Sequence, residues 1–267
     1  MARQLPRAHG DQVTARETAV TWLLLLGGFL AAWSLAAATL PVPAYMLPSP
    51  TAVLAAFSDL VVKGILPTYI AESLRRMVLA ASIAFAIAVP LGIALGVSRR
   101  LAEFAYPLLN FFQSVSGIAW LPLMLVWFGF GERTILVAVN YTVVFPVALN
   151  TLLGVRSVPR IYVNGLRTLG ASRWRIARDV LLPGALPSIA TGMRLGLAYG
   201  WRALIAAEML VGAHGLGFMI FTAQNFHLTA RIMLGMLVIG ALWLVLDYFV
   251  FRPLEQATIE RWGLVQR

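Results

Sequence analysis

The sequence predicts an all-α integral membrane protein with six transmembrane helices and a basic element between the fourth and fifth. Three observations predict it. Of 267 residues, 60% are hydrophobic and only 12% are charged, far from the balance of a soluble domain. Uncharged stretches recur at lengths that cross about 30 Å of hydrocarbon at 1.5 Å per residue. The basic residues lie in short segments between those stretches, so the net charge of +10 follows the positive-inside rule and does not point to nucleic acid. The chain has no cysteine, which excludes disulfides and thiolate metal sites.

The elements follow in order. Residues 1–18 read as a polar cytoplasmic tail carrying Arg3, Arg7 and Arg16. Ala19 to Leu40 run without a charge and form the first span. It is long for a signal peptide and further spans follow, so it reads as uncleaved. Residues 41–76 are an outer loop. Prolines at 41, 43, 48 and 50 forbid helix at its start, and Thr51 to Leu66 form a short surface helix with Asp59 and Lys63 one turn apart. A core of five further spans, 77–251, begins with Met77 to Val97, which contains Pro90 and closes on Ser98-Arg99-Arg100. Ala105 to Gly131 is the third uncharged run, and Pro107 and Pro122 argue against one straight helix there. Thr134 to Val155, Leu186 to Val211 and Ile232 to Phe251 complete the set, and 252–267 is a polar tail.

Orientation comes from the basic residues near span ends. With the N-terminus inside, fourteen of the 21 basic residues fall in cytoplasmic segments and five (Lys63, Arg75, Arg76, Arg133, Arg231) outside. That asymmetry places both termini and the island 156–187 in the cytoplasm.

The island holds six arginines (Arg156, Arg160, Arg167, Arg173, Arg175, Arg178) against one acid, Asp179. Gly170 breaks it, Ser172 can cap a new helix, and Pro183 is expected to end that helix. Trp174, Ala177, Val180 and Leu181 fall on one side of it, with Arg175, Arg178 and Asp179 on the other. Two readings fit: a firm protruding element for a partner, or a basic amphipathic hairpin lying on anionic headgroups.

Charges inside spans mark functional candidates. Arg202 and Glu208 lie six residues apart, about 9 Å along the axis at 1.5 Å per residue, too far round the helix for a simple pair. Arg202 can attract an anionic solute on a polar pathway, or snorkel or bind a neighbouring carbonyl. Arg194, nearer the cytoplasmic end, reads as snorkelling, and Asp247 as structural. Asn110, Gln113, Ser114 and Asn140 line a wet path or serve as interhelical hydrogen-bond glue. The three histidines lack metal spacing, and GAHGLG (212–217) lacks the phosphate-loop register; the only lysine is Lys63. This chain therefore carries no P-loop.

At the island the residues resemble the cytoplasmic coupling loop of binding-protein-dependent ABC importer permeases. Gly170-Ala171-Ser172 match the motif's glycine region and Val180-Leu181-Leu182-Pro183 its end. ALPSIATGMRLGLAYGWRALIAAEML (185–210), AWLPLMLVWFGFG (119–131), FPVALNTLLGVRSV (145–158) and MLPSP (46–50) resemble the nitrate, sulfonate and taurine subfamily; together the resemblance covers roughly 45–260. The acid that opens the motif is missing, since its place reads Asn164-Gly165-Leu166. Gly165 there weakens the first helix by about 1 kcal/mol relative to alanine.

The resemblance implies a type I importer permease fold with a coupling helix between spans four and five. It implies a homodimer in the cell (inner) membrane, joined to two ATP-binding cassette ATPase subunits and an extracytoplasmic solute-binding protein. ATP and magnesium would sit on the ATPases, with no cofactor on this chain. Asn164, Gly165, Arg167, Gly170, Ala171, Ser172, Arg173, Leu182 and Pro183 are the expected coupling residues. Asn110, Gln113, Ser114, Asn140, Arg202 and Glu208 are the expected path. Arg202 favours a small anion such as a sulfonate, nitrate or carboxylate. A neutral heterocycle such as a vitamin precursor, a stand-alone secondary carrier and a membrane-embedded enzyme are the competing readings.

Overall fold

In the computed structural model, residues 15–43, 45–251 and 253 are described, and they are overwhelmingly helical, with no strand among them. The helices are α1 (Ala15–Thr39), α2 (Pro50–Val62), α3 (Ile65–Val97), α4 (Arg99–Ser114), α5 (Leu121–Phe128), α6 (Glu132–Ser157), α7 (Arg160–Thr168), α8 (Arg173–Ile176), α9 (Leu182–Val211), α10 (Leu216–Asn225) and α11 (Thr229–Leu246). The expected tail residues Arg3 and Arg7, with His9, lie outside the described residues, as do Arg252 and 254–267. Arg16 falls inside α1, so the first helix begins before the expected position 19.

Four stretches are long and apolar enough to cross a bilayer: Ile65–Val97, Glu132–Ser157, Arg173–Val211 and Thr229–Phe249. Helices α4 and α5, bent 79° apart, make a fifth if taken as one broken span. The break falls inside the uncharged run 105–131, where two prolines argued against a straight helix. The apolar part of α1, Leu24–Thr39, is shorter than a full span.

Two boundaries differ from expectation. The helix expected over 51–66 stops at Val62, where Gly64 adopts φ 68° and turns the chain directly into α3. Helix α3 therefore starts at Ile65 instead of Met77, and Glu72, Arg75 and Arg76 lie within it. Helix α2 is also more than a surface helix, because Val53 and Leu60 are buried.

The second difference concerns Pro183, which does not end the island's helix. The chain runs as helix from Arg173 to Val211. Residues Ala177–Leu181 form a wide π-type turn, in which the Leu182 N–H bonds the Ala177 carbonyl five residues back. Pro183 then enters as one of the first residues of α9. A proline lacks only its own N–H, and that donor is dispensable where the bonding register is already shifting.

The core is the contact of α6 with α3 and α9. Val139, Val143, Val147, Ala148 and Leu152 of α6 are buried in it. In lipid the attraction between helices comes from close packing rather than from water exclusion, so small residues govern the approach. Gly192, Gly196 and Gly200 recur every fourth residue on α9 and face α6. A Cβ on Gly192 would lie 2.6 Å from the Asn150 Cβ, and one on Gly200 would lie 2.6 Å from a Val143 methyl. On the other side, Gly92 of α3 meets Thr151 with equal closeness.

Polar fasteners join the remaining helices. Arg194 of α9 makes a two-pronged ion pair with Asp247 beyond α11 at 2.9–3.0 Å. The Arg194 that read as snorkelling is thus bound across helices, to the Asp247 that read as structural. Arg231 of α11 reaches Asp59 of α2 at 3.3 Å, beside the expected Asp59–Lys63 pair at 2.5 Å. The Lys63 hydrogen bond, backed by both cations, holds the Asp59 carboxyl below its usual range. The Trp33 indole of α1 donates to the Pro48 carbonyl at 3.0 Å.

Replacing Gly200 with Leu forces α6 and α9 apart, and overpacking of this kind costs about 1–3 kcal/mol. The thermal midpoint of the detergent-solubilised chain should fall clearly. Gly27→Leu, at a site with nothing within 4 Å, should leave it in place; equal midpoints for both variants would refute the packing account.

Candidate functional site

Three places concentrate polar chemistry, and the first is a cavity beside the α4–α5 break. Helix α4 stops at Ser114, and a tight turn, Gly117–Trp120, redirects the chain. The turn can approach α6 because Gly117 has no side chain to strike Thr142. A cavity of about 340 Å³ results, lined by Gln113 and Ser114 from α4, Tyr141 and Thr142 from α6, and Tyr199 and Arg202 from α9. Arg202 is exposed there and forms no hydrogen bond or ion pair among the described residues. A cation facing amide and hydroxyl groups, with no carboxylate on the cavity wall, suits an anion.

Three of the six expected path residues, Gln113, Ser114 and Arg202, thus converge; the other three do not. Asn110 donates to the Tyr106 carbonyl of its own helix at 2.9 Å. Asn140 donates to the Leu136 carbonyl at 2.9 Å and lines a different, apolar cavity of about 640 Å³ with Trp120 and Trp127. Glu208 is fully buried and lines none of these cavities.

Glu208 belongs to the second place, a buried clasp that replaces its expected role on the path. Arg76 of α3 donates to its carboxylate at 2.7 Å and to the His214 carbonyl at 2.6 Å. Ser73 donates to the carboxylate at 2.8 Å and accepts from the Leu216 N–H at 3.0 Å. The Gly217 N–H donates to it at 3.1 Å. One carboxylate therefore ties α3, α9 and the start of α10 together. GAHGLG is the loop that wraps it, since a Cβ at Gly215 or Gly217 would collide with Glu208. Sequence reading counted Arg76 among the outer basic residues and missed its burial. The available signal was an unpaired acid in one span and an arginine immediately before another.

The third place is the island. Helix α7 ends where Gly170 takes φ 74°, and the Ala171 N–H closes back on the Leu166 carbonyl at 3.0 Å. Ser172 caps α8 as expected, accepting from the Arg175 N–H at 3.3 Å. Asn164 and Gly165 lie in α7, Arg167 in its last turn, Arg173 opens α8, and Leu182 and Pro183 open α9. The side chain that seats the elbow is Ile176, 5% exposed, whereas Trp174, assigned to the apolar side, is 75% exposed. Leu169 at the tip is 82% exposed.

Residues 88–253 match the family described as binding-protein-dependent transport system inner membrane component. The chain is 38% identical over 179 residues to the taurine transport system permease protein of Escherichia coli (strain K12), covering 67% of this chain and 65% of that one. It is 30% identical over 264 residues to a putative aliphatic sulfonates transport permease protein of Bacillus subtilis (strain 168), covering 97% and 95%. A chain of the MetNI methionine ABC transporter, solved in inward facing conformations, superposes with a TM-score of 0.63 at 21% identity, over 74% of this chain and 97% of that one.

Glu208→Ala leaves Arg76 buried without its counter-charge and should destabilise the chain by about 3–5 kcal/mol. Arg76→Met combined with Glu208→Met should be less damaging than either single change. Thermal unfolding in detergent measures both, and an unshifted midpoint for Glu208→Ala would count against the clasp.

Proposed function

Because the chain belongs to the binding-protein-dependent transport system inner membrane component family, we propose that it is the permease subunit of an ABC importer. In this reading it works as a homodimer in the cell (inner) membrane with two ATP-binding cassette ATPase subunits and an extracytoplasmic solute-binding protein. ATP and magnesium belong to the ATPases, and this chain catalyses no reaction of its own. Both termini and the α7–α8 elbow face the cytoplasm.

The observation that carries the proposal is the elbow itself. It is a capped helix-turn-helix continuous with a membrane-length helix, and Leu169 and Trp174 stand exposed on it. A groove on an ATPase that grips such an elbow moves α9 with it, and α9 carries Arg202. ATP binding shifts the transporter between states only if the elbow's contacts differ between them. Gly170, Ala171 and Ser172 set the turn, Arg167 and Arg173 flank it, and Leu182 with Pro183 pass the movement on. Asn164 and Gly165 leave the first helix without a carboxylate for the partner.

The solute is a small anion of the sulfonate, nitrate or carboxylate kind. Arg202, free of any carboxylate beside the α4–α5 break, supports that reading, and so do the taurine and sulfonate relatives. The passage runs past Gln113, Ser114 and Arg202.

Tagged chain purified from host membranes should bring down a near-stoichiometric partner bearing GxxxxGK[ST]. Uptake should survive proton uncouplers and stop on ATP depletion; the opposite pattern would favour a secondary carrier. Arg202→Ala removes charge-assisted bonds worth about 1.5–3 kcal/mol, so uptake should drop at least roughly ten-fold while assembly with the ATPase persists. Wild-type uptake by this variant would end the anion-path assignment. Gly170→Val strains a left-handed position and should leave ATP hydrolysis running without transport.

A further inference from the structure

The elbow does not stand clear of the helical bundle; it closes over a third cavity. This cavity, about 930 Å³, lies where α3 and α6 both end, between the first turn of α4 and helices α7 and α8. Five arginines line it: Arg99, Arg156, Arg160, Arg167 and Arg173. The one carboxylate on its wall, Glu103, is held by Arg99 at 2.7 Å. Arg156 turns toward a like-charged neighbour, donating to the Arg99 carbonyl at 3.4 Å. Arg160, Arg167 and Arg173 have no acidic partner among the described residues. The floor is apolar, with Val155 and Ile176 nearly buried.

Like charges gathered in a concavity repel unless an anion joins them. Guanidinium groups fit phosphate oxygens in pairs. The cavity lies at the ends of two membrane-length helices, the level at which lipid headgroups sit. An arginine rim over an aliphatic floor matches a phosphodiester with its glycerol below. We propose that this cavity binds the headgroup of an anionic phospholipid, seated between the elbow and the ends of α3 and α6. This is not a hairpin resting on the membrane surface but one lipid held within the fold. Arg175 and Arg178 belong to the same island and do not line the cavity; Arg175 pairs with Asp179 at 3.5 Å. All the lining residues come from this chain, so the site can be tested on the chain without an ATPase.

The test uses purified full-length chain in neutral detergent micelles doped with equal amounts of phosphatidylglycerol and phosphatidylcholine, with retained lipid counted by native mass spectrometry. The wild type should retain phosphatidylglycerol selectively. Arg156→Gln with Arg160→Gln should weaken retention by roughly five-fold per arginine, whereas Arg175→Gln with Arg178→Gln should leave it unchanged. Equal loss in the two double variants would show a diffuse surface attraction and overturn the site. Equal retention of the two lipids would do the same. Displacement of phosphatidylglycerol by millimolar inorganic phosphate would assign the cavity to a free anion and overturn the lipid.

Discussion

The close contact between α6 and α9 is the constraint on which the rest of the molecule depends. In a bilayer, neither helix gains by hiding leucines from water, because lipid is as apolar as leucine. What holds them is the number of atoms brought within van der Waals range, and that depends on how near the two backbones come. Gly192, Gly196 and Gly200 supply the nearness, and Asn150, Val147 and Val143 fill the steps. With this pair fixed, Tyr199 and Arg202 are carried to one side of α6, opposite the end of α4. The anion-facing cavity is therefore a consequence of packing and needs no dedicated scaffold.

The buried Arg76–Glu208 pair has a different logic. Removing two charges from water costs several kcal/mol, and the attraction between them repays this only with good geometry and further hydrogen bonds. Here the carboxylate also receives Ser73 and the Gly217 N–H, so its lone pairs are occupied. What such a pair gives is register. Sliding α9 by one turn along α3 would strand both charges, so only one alignment of α3, α9 and α10 is tolerated. The glycines of the 212–217 loop complete it, which gives that glycine-rich stretch a structural reason to exist without any phosphate.

The legible parts of the sequence were those governed by local rules. The bilayer demands long uncharged runs, and these appear in composition. Gly170 and Ser172 act within a turn of themselves, and both behave as their chemistry dictates. The 79° break between α4 and α5 falls within the run that Pro107 and Pro122 argued against as one straight helix. Helix α4 nonetheless continues through Pro107, and of the two only Pro122 sits at a helix start. The parts that escaped depend on distant partners. Glu208 meets Arg76 across 132 positions and Arg194 meets Asp247 across 53, so neither pairing leaves a local trace. For the same reason Asn110, Asn140 and Glu208 resembled Gln113 and Arg202 as polar residues in spans, yet only the latter share a cavity. Pro183 misled for a subtler reason, because its effect depends on whether the bond it forfeits was needed, and the turn before it had already given that bond up.

That wide turn over Ala177–Leu181 has a geometric consequence of its own. It accommodates one residue more than an α-helical turn, and each residue of an α-helix advances about 100° around the axis. The elbow and α9 are therefore offset in phase by that angle, though they form one unbroken rod. A lineage that lost a single residue here would keep every helix and every other side chain. Its elbow would nonetheless point to a different quarter of the compass, away from whatever it now meets. The angular relation between this chain and its neighbours is thus stored in one surplus backbone unit, and insertion or deletion, not substitution, is the change to which it is most exposed.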